Sequence, residues 1–135
     1  KAKTRIIYLV LKRKYHWRGW EFPKGGINPN ESERNAVKRE VLEETGLNPI
    51  DGKVKRFNFR GKYFYKRIFP DRGGLVGQSF VLYSAEVERK KVKIDQKEHS
   101  HYEWLDFEAA LKKLTHLNQK KGLMIVEKDL RVSKN

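Results

Sequence analysis

Three glutamates, Glu40, Glu43 and Glu44, lie in a stretch from Trp20 to Leu47 that also holds a glycine turn and the start of a helix. At about 100° per residue they fall within about 100° of one another on a helix surface. Like charges at these offsets repel, and a helix built for stability alone would alternate signs there. One account is a solvated acidic face. The other is a positive charge set among the carboxylates. The donors are hard oxygens and the chain has no cysteine, so the fitting ion is Mg²⁺, with Mn²⁺ as substitute. Held by only part of its coordination shell, such an ion leaves positions for water and phosphate oxygens.

The elements around the glutamates are readable from punctuation. After the turn Pro23-Lys24-Gly25-Gly26, either Asn30 or Ser32 can cap a helix, and Gly46 with Pro49 beyond it stops that helix at about Thr45. Ala36, Val37 and Val41 form its expected packing stripe. Lys24 stands where a turn fixes the backbone beside the helix, which makes it a candidate phosphate contact.

Gly25, five residues, Glu31, seven residues, then Arg39-Glu40-Val41-Leu42-Glu43-Glu44-Thr45-Gly46-Leu47 resembles the Nudix hydrolase box at every position. The resemblance implies an α/β fold, a Nudix-type α/β/α sandwich with a mixed, curved sheet and the loop-helix of the box, as a single domain over residues 1–135. It implies that Glu40, Glu43 and Glu44 bind the metal, that the Gly25 carbonyl adds a ligand, and that Arg39 orients the glutamates rather than reacting. In the family a further strand usually precedes the first one visible here. Only Lys1 to Arg5 are available for it, so it is expected to be lost, very short or outside this sequence.

With 31 Lys+Arg against 17 Asp+Glu, the chain carries a net charge of +14, and part of its acid is already assigned to one helix. The remaining surface is strongly basic. It suits a polyanion such as a nucleotide polyphosphate or an RNA 5′ end, although a surface tuned for solubility or heat would look similar. Zero cysteines exclude disulfides and thiolate metal sites. No apolar run approaches membrane-spanning length, and a cytoplasmic location is expected.

Ile6 to Leu11 reads as a buried strand, Lys12 to Arg18 as a basic loop, and Trp20 with Phe22 as sheet-packing residues flanking Glu21. Lys53 to Phe69 reads as two strands around Gly61, where basic and aromatic residues interleave. Tyr63 or Tyr65 could stack a base there while Lys62, Lys66 or Arg67 holds phosphates. Gln78 to Val87 is a further strand, and Lys90 to Lys93 a basic edge or loop. Asp106 caps a helix, and Thr115 is expected to cap a last one through Leu130, which Gly122 weakens.

Gln96 to Trp104, QKEHSHYEW, resembles the late loop of the Nudix subgroup that hydrolyses diadenosine tetraphosphate, and RNA 5′-pyrophosphohydrolases share its glutamate and tryptophan. In both, the loop glutamate reaches the metal cluster, which nominates Glu98 as a fourth carboxylate or a water-activating base. Tyr102 is another stacking candidate, and His99 and His101 read as ordinary loop histidines. The resemblance leaves the base open among Glu43, Glu44 and Glu98. The function it implies is metal-dependent hydrolysis of a pyrophosphate bond, with diadenosine tetraphosphate, cleaved asymmetrically, placed ahead of triphosphorylated RNA. A non-catalytic nucleotide or RNA sensor and a housecleaning enzyme for damaged nucleoside triphosphates are the alternatives. Replacing Glu43 or Glu44 by Gln is expected to lower kcat by about 100-fold or more with the fold intact. Wild-type turnover in either variant, measured at saturating Mg²⁺, would contradict the assignment.

Overall fold

The structure, a computed structural model, describes residues 5–14, 18–64 and 77–133, leaving aside the side chains of 62–64, 77–79 and 133. The described elements are β1 (Tyr8–Arg13), β2 (Gly19–Glu21), α1 (Glu33–Thr45), β3 (Pro49–Phe64), β4 (Gly77–Val87), β5 (His99–Leu105), α2 (Phe107–Lys113) and α3 (Leu117–Ser133). They form the α/β sandwich that the sequence implies. One sheet has the order β2-β1-β5 and the other pairs β3 with β4. Every ladder among the described residues is antiparallel, so the parallel pairing of a mixed sheet is not found among them.

The central strand β1 is buried on both faces, at Val10 on one and Leu11 on the other, and period-2 alternation assigns each side chain. Tyr8, Val10, Trp20, Phe22 and Leu105 pack with Phe107, Ala110, Leu111, Leu114 and Leu123 against α2 and α3. On the other face Leu11 pairs with Glu21 on one side and Tyr102 on the other, and Arg13 pairs with His99. Leu11, Arg13, Glu21 and His99 are all buried, and this second, charged face is where the glutamates of α1 arrive.

Helix α1 begins where Ser32 accepts a hydrogen bond from the Asn35 amide at 3.1 Å. Of the two expected caps Ser32 is therefore the one used, and Asn30 instead takes a left-handed turn conformation with φ 63°. The helix ends at left-handed Gly46, φ 74°, whose N–H donates to Leu42 O at 2.8 Å. The basic loop after β4 docks here, with Lys93 N donating to Thr45 O at 2.8 Å and Val92 buried. The other end of α1 is tied to the second sheet, since Glu33 accepts from both Arg56 of β3 and Tyr83 of β4.

Four sequence expectations are corrected. Lys12 and Arg13 continue β1 instead of opening a loop, because Arg13 has a buried carboxylate to pair with. Gly61 does not divide two strands: β3 runs through it, and the missing side chain makes room for the ring of Phe80 on β4, which a Cβ would meet at 2.6 Å. Thr115 does not cap α3. Its hydroxyl accepts from Trp20 N and its own N–H donates to Trp20 O, fastening β2, while His116 O receives the first helical amides. The helix then runs to Ser133 rather than Leu130, and Gly122 within it lies against Leu82 of β4. Among the described residues no helix is long and apolar enough to cross a membrane.

Gly46→Ala is expected to cost about 1–2 kcal/mol, from the left-handed backbone alone, with the added strain of a Cβ placed 2.9 Å from Lys93 Cβ. The urea midpoint reports this. An unchanged midpoint would contradict the cap.

Candidate active site

The helix glutamates meet the charged sheet face unequally. Glu44 is buried at 4 % exposure, and Glu40 and Glu43 lie progressively nearer solvent. Glu44 Oε2 accepts the Lys24 amide at 3.1 Å. Its Oε1 has no hydrogen-bond partner, and neither has Oε1 of Glu21, which is wholly buried alongside it. Burial first, and then the charges of Glu21, Glu40, Asp95 and Glu98, push the Glu44 carboxyl up to about 10. Burial also raises Glu40, helped by Glu43 and opposed by Arg39. Without a cation, then, the pair keeps a proton; with one, both carboxylates are free to ionise.

Arg39 is held on every side. It donates to Glu31 through Nε (2.8 Å) and Nη2 (3.0 Å), to Glu40 through Nη1 (2.7 Å), to Glu43 (3.1 Å) and to Gly26 O (2.7 Å). The guanidinium therefore joins the glycine turn to the helix and supplies part of the positive charge that the repelling glutamates require. Its first effect on Glu31 is a hydrogen bond that lowers that carboxyl. The turn can approach because Gly25 lacks a side chain: a Cβ there would fall 1.9 Å from Glu40 Cδ.

The residues that sequence reasoning missed are Glu21, Asp95 and His99. His99 opens β5 and is fully buried rather than lying in a surface loop. Its Nδ1 lies 2.9 Å from Asp95 Oδ2 and its Nε2 2.8 Å from Glu21 Oε2. Ionised carboxylates only accept hydrogen bonds, so both ring nitrogens donate. Burial alone would lower this imidazole, but Glu21 and Asp95 outweigh it and raise it. Burial likewise works to raise Glu21, and His99, Lys24 and Arg13 together bring it below its ordinary value. Glu44 has no such compensation, with His99 Nε2 at 3.8 Å. The one available signal was Glu21 itself, a carboxylate between Trp20 and Phe22 at the edge of the glycine turn.

Glu98 ends the turn before β5, its carboxylate 3.6 Å from Arg13 Nη2, and its charge acts on Glu44. Lys24 Nζ lies 3.8 Å from Glu21 Oε1. Tyr102 is 37 % exposed, in the same cross-strand row as Leu11 and Glu21. Lys62 and Tyr63 are on β3 with side chains outside the described part; Tyr65, Lys66 and Arg67 lie outside the described residues. Two sets of potential ligands have their donor atoms within 4.8 Å of one another: Glu21, Glu44 and His99, and Asp95, Glu98 and His99. The unpartnered oxygens of Glu21 and Glu44 fit a bound cation, for which oxygen donors without hydrogen bonds are the natural ligands.

A NUDIX domain family model matches residues 1–124. The RNA pyrophosphohydrolase of Pasteurella multocida (strain Pm70) is 50% identical over 53 residues, 39% of this chain and 25% of the relative. The 8-oxo-dGTP diphosphatase of Buchnera aphidicola subsp. Schizaphis graminum is 38% identical over 107 residues, 76% of this chain and 69% of the relative. The chain thus matches about a quarter of the length of the RNA pyrophosphohydrolases. Among solved structures, a C. elegans Ap4A hydrolase binary complex superposes with a TM-score of 0.71 at 23% identity, covering 94% of this chain and 88% of that one. The NUDIX domain of Shewanella oneidensis NrtR with ADP ribose gives 0.71 at 18% identity, covering 93% and 79%. At these identities the likeness concerns the fold.

Mg²⁺ or Mn²⁺ is expected to raise the melting temperature of the wild-type protein and not that of Glu44→Gln. The variant without metal should melt no lower than metal-free wild type, because an uncharged amide removes a buried carboxyl that lacks a partner. A Gln variant that is destabilised without metal, or still stabilised by it, would contradict this reading.

Proposed function

The chain belongs to the NUDIX domain family, and from that premise we propose that it hydrolyses a pyrophosphate bond in a nucleotide-containing polyanion. The observation that carries the proposal is the buried, unpartnered oxygen of Glu44 beside Glu40 and Glu21. Glu40, Glu43 and Glu44 would hold a divalent cation, Mg²⁺ or Mn²⁺, with Glu98 and the Gly25 carbonyl as further ligands. When bound, such an ion neutralises phosphate charge and lowers the pKa of coordinated water.

The chain's own residues supply the rest. Arg39 acts as a positioning residue, since its donors are engaged by three carboxylates and a carbonyl, none of them a substrate atom. Lys24, at the mouth of the turn, would take a phosphate oxygen of the substrate. Tyr102, half open on the row of Glu21, would stack a base, together with Tyr63 or Tyr65 and with Lys62 on phosphate. Glu98, in the turn before β5, would accept the proton of the attacking water or complete the ligand set, and Glu43 and Glu44 remain alternative bases.

Diadenosine tetraphosphate is the first substrate proposed, on the loop QKEHSHYEW and its glutamate. A triphosphorylated RNA 5′ end is the second reading, favoured by the 50% identity to an RNA pyrophosphohydrolase over 53 residues and by the net charge of +14. The 8-oxo-dGTP diphosphatase, which matches over more of the chain, adds oxidised dGTP to the panel.

Side-by-side assays with Mg²⁺ are expected to show diadenosine tetraphosphate cleaved to ATP and AMP faster than RNA is converted to its monophosphorylated form. Preference for RNA or for oxidised dGTP would reverse the order. If nothing is hydrolysed while nucleotides still bind, the chain is a sensor.

A further inference from the structure

Around Glu98, beside the glutamates of α1, lies a charged assembly whose other members the proposed reaction leaves unused. Asp95 divides its two oxygens, with Oδ1 accepting the Glu98 amide at 2.8 Å and Oδ2 facing His99 Nδ1 at 2.9 Å. The other nitrogen of His99 reaches Glu21 Oε2, on a different strand, at 2.8 Å. Arg13 Nη1 donates to that same Glu21 oxygen at 3.1 Å, and Arg13 Nη2 lies 3.6 Å from the Glu98 carboxylate. The Glu98 carbonyl is held as well, accepting from Lys14 N at 2.8 Å. Glu98 is thus gripped at its amide, its carbonyl and its carboxylate, and two of these grips converge on Glu21 Oε2.

A chain selected for stability alone has little use for this arrangement. A buried ion network costs desolvation at every member, and apolar side chains of similar volume commonly do as well or better. Charged groups do offer direction: an imidazole with both nitrogens engaged has one orientation, and so has the carboxylate it grips. We infer that His99, anchored on Glu21, is a positioning residue that sets Glu98 against Glu44 through Asp95. This rests on the reading in which Glu98 serves the metal site. Asp95 is the relay, because one of its oxygens orients the turn and the other is oriented by His99. Arg13 is the second strut, from Glu21 to the Glu98 carboxylate.

The test uses variants that each cut the bridge at one bond. His99→Gln keeps a donor toward Glu21, and His99→Asn keeps one toward Asp95. Asp95→Asn keeps the oxygen that receives the Glu98 amide while removing the acceptor for His99. As the mildest of the three, Asp95→Asn carries the test where a His99 variant fails to fold. Each is made alone and with Glu98→Gln, and kcat and KM are measured with whichever substrate of the panel above the wild type hydrolyses. Hydrogen exchange of the Glu98 amide is followed in metal-free protein.

Alone, each variant is expected to lose about 10- to 100-fold in kcat, with KM within about 2-fold. Combined with Glu98→Gln, each should cost less than about 2-fold more, because the group it positions is already gone. The Glu98 amide should exchange faster in all three, with amides of α2 and α3 unchanged. Losses that multiply in the double variants would overturn the inference and leave His99 a part of the core. Full turnover in Glu98→Gln alone would overturn the role of Glu98, and the bridge with it, which separates that failure from the first.

Discussion

A carboxylate withdrawn from water and given too few donors is the constraint around which this molecule is arranged. Moving such a group into the interior without compensation costs several kcal/mol or more, and the usual escape is to keep its proton. Glu44 is in that position: buried, one oxygen unpartnered, with Glu21 and Glu40 adding repulsion. Evolution commonly tolerates such a group where a ligand supplies the missing charge. The neighbouring acids make the contrast plain. Glu21 is equally buried yet is surrounded by Arg13, His99 and Lys24, so its charge is matched within the chain. Each keeps one oxygen without a hydrogen bond, but only Glu44 also lacks matching charge from the chain.

Much of the architecture serves that placement. Ser32 and Gly46 fix the ends of α1, and Gly46 also gives room to Lys93, so the helix cannot slide along its axis. Gly25 lets the turn come against Glu40, and Arg39 stitches turn and helix together through Glu31, Glu40, Glu43 and Gly26. The three-stranded sheet separates two tasks. One face is an apolar floor for α2 and α3; the other carries Leu11, Arg13, Glu21 and His99 toward the glutamates. Thr115, by fastening both backbone groups of Trp20, holds the strand from which Glu21 projects.

The helix and its acids were legible in the sequence because capping and i, i+3, i+4 spacing are local rules, and α1, α2 and β4 fall close to where those rules put them. The features that escaped are the ones decided by partners far away in the chain. His99 looks like a loop histidine until β5 pairs with β1 and sets it opposite Arg13. Glu21 drew notice only as the residue between sheet-packing Trp20 and Phe22, and its pairing opposite Leu11, beside Arg13 and His99, makes it interior. Gly61 reads as a break, and the ring of Phe80 across the ladder turns it into a seat. Thr115 looks like a cap because a helix follows, but the free backbone groups of Trp20 claim it first.

The account is tested most directly by locating the cation itself. Crystals of the metal-free protein soaked in Mn²⁺, with diffraction recorded at the manganese absorption edge, are predicted to show an anomalous peak within coordination distance of Glu44 Oε1. The peak should disappear in Glu44→Gln. A map without manganese at that oxygen, or with manganese bound equally well in the variant, would contradict the claim that Glu44 is buried in order to hold a metal ion.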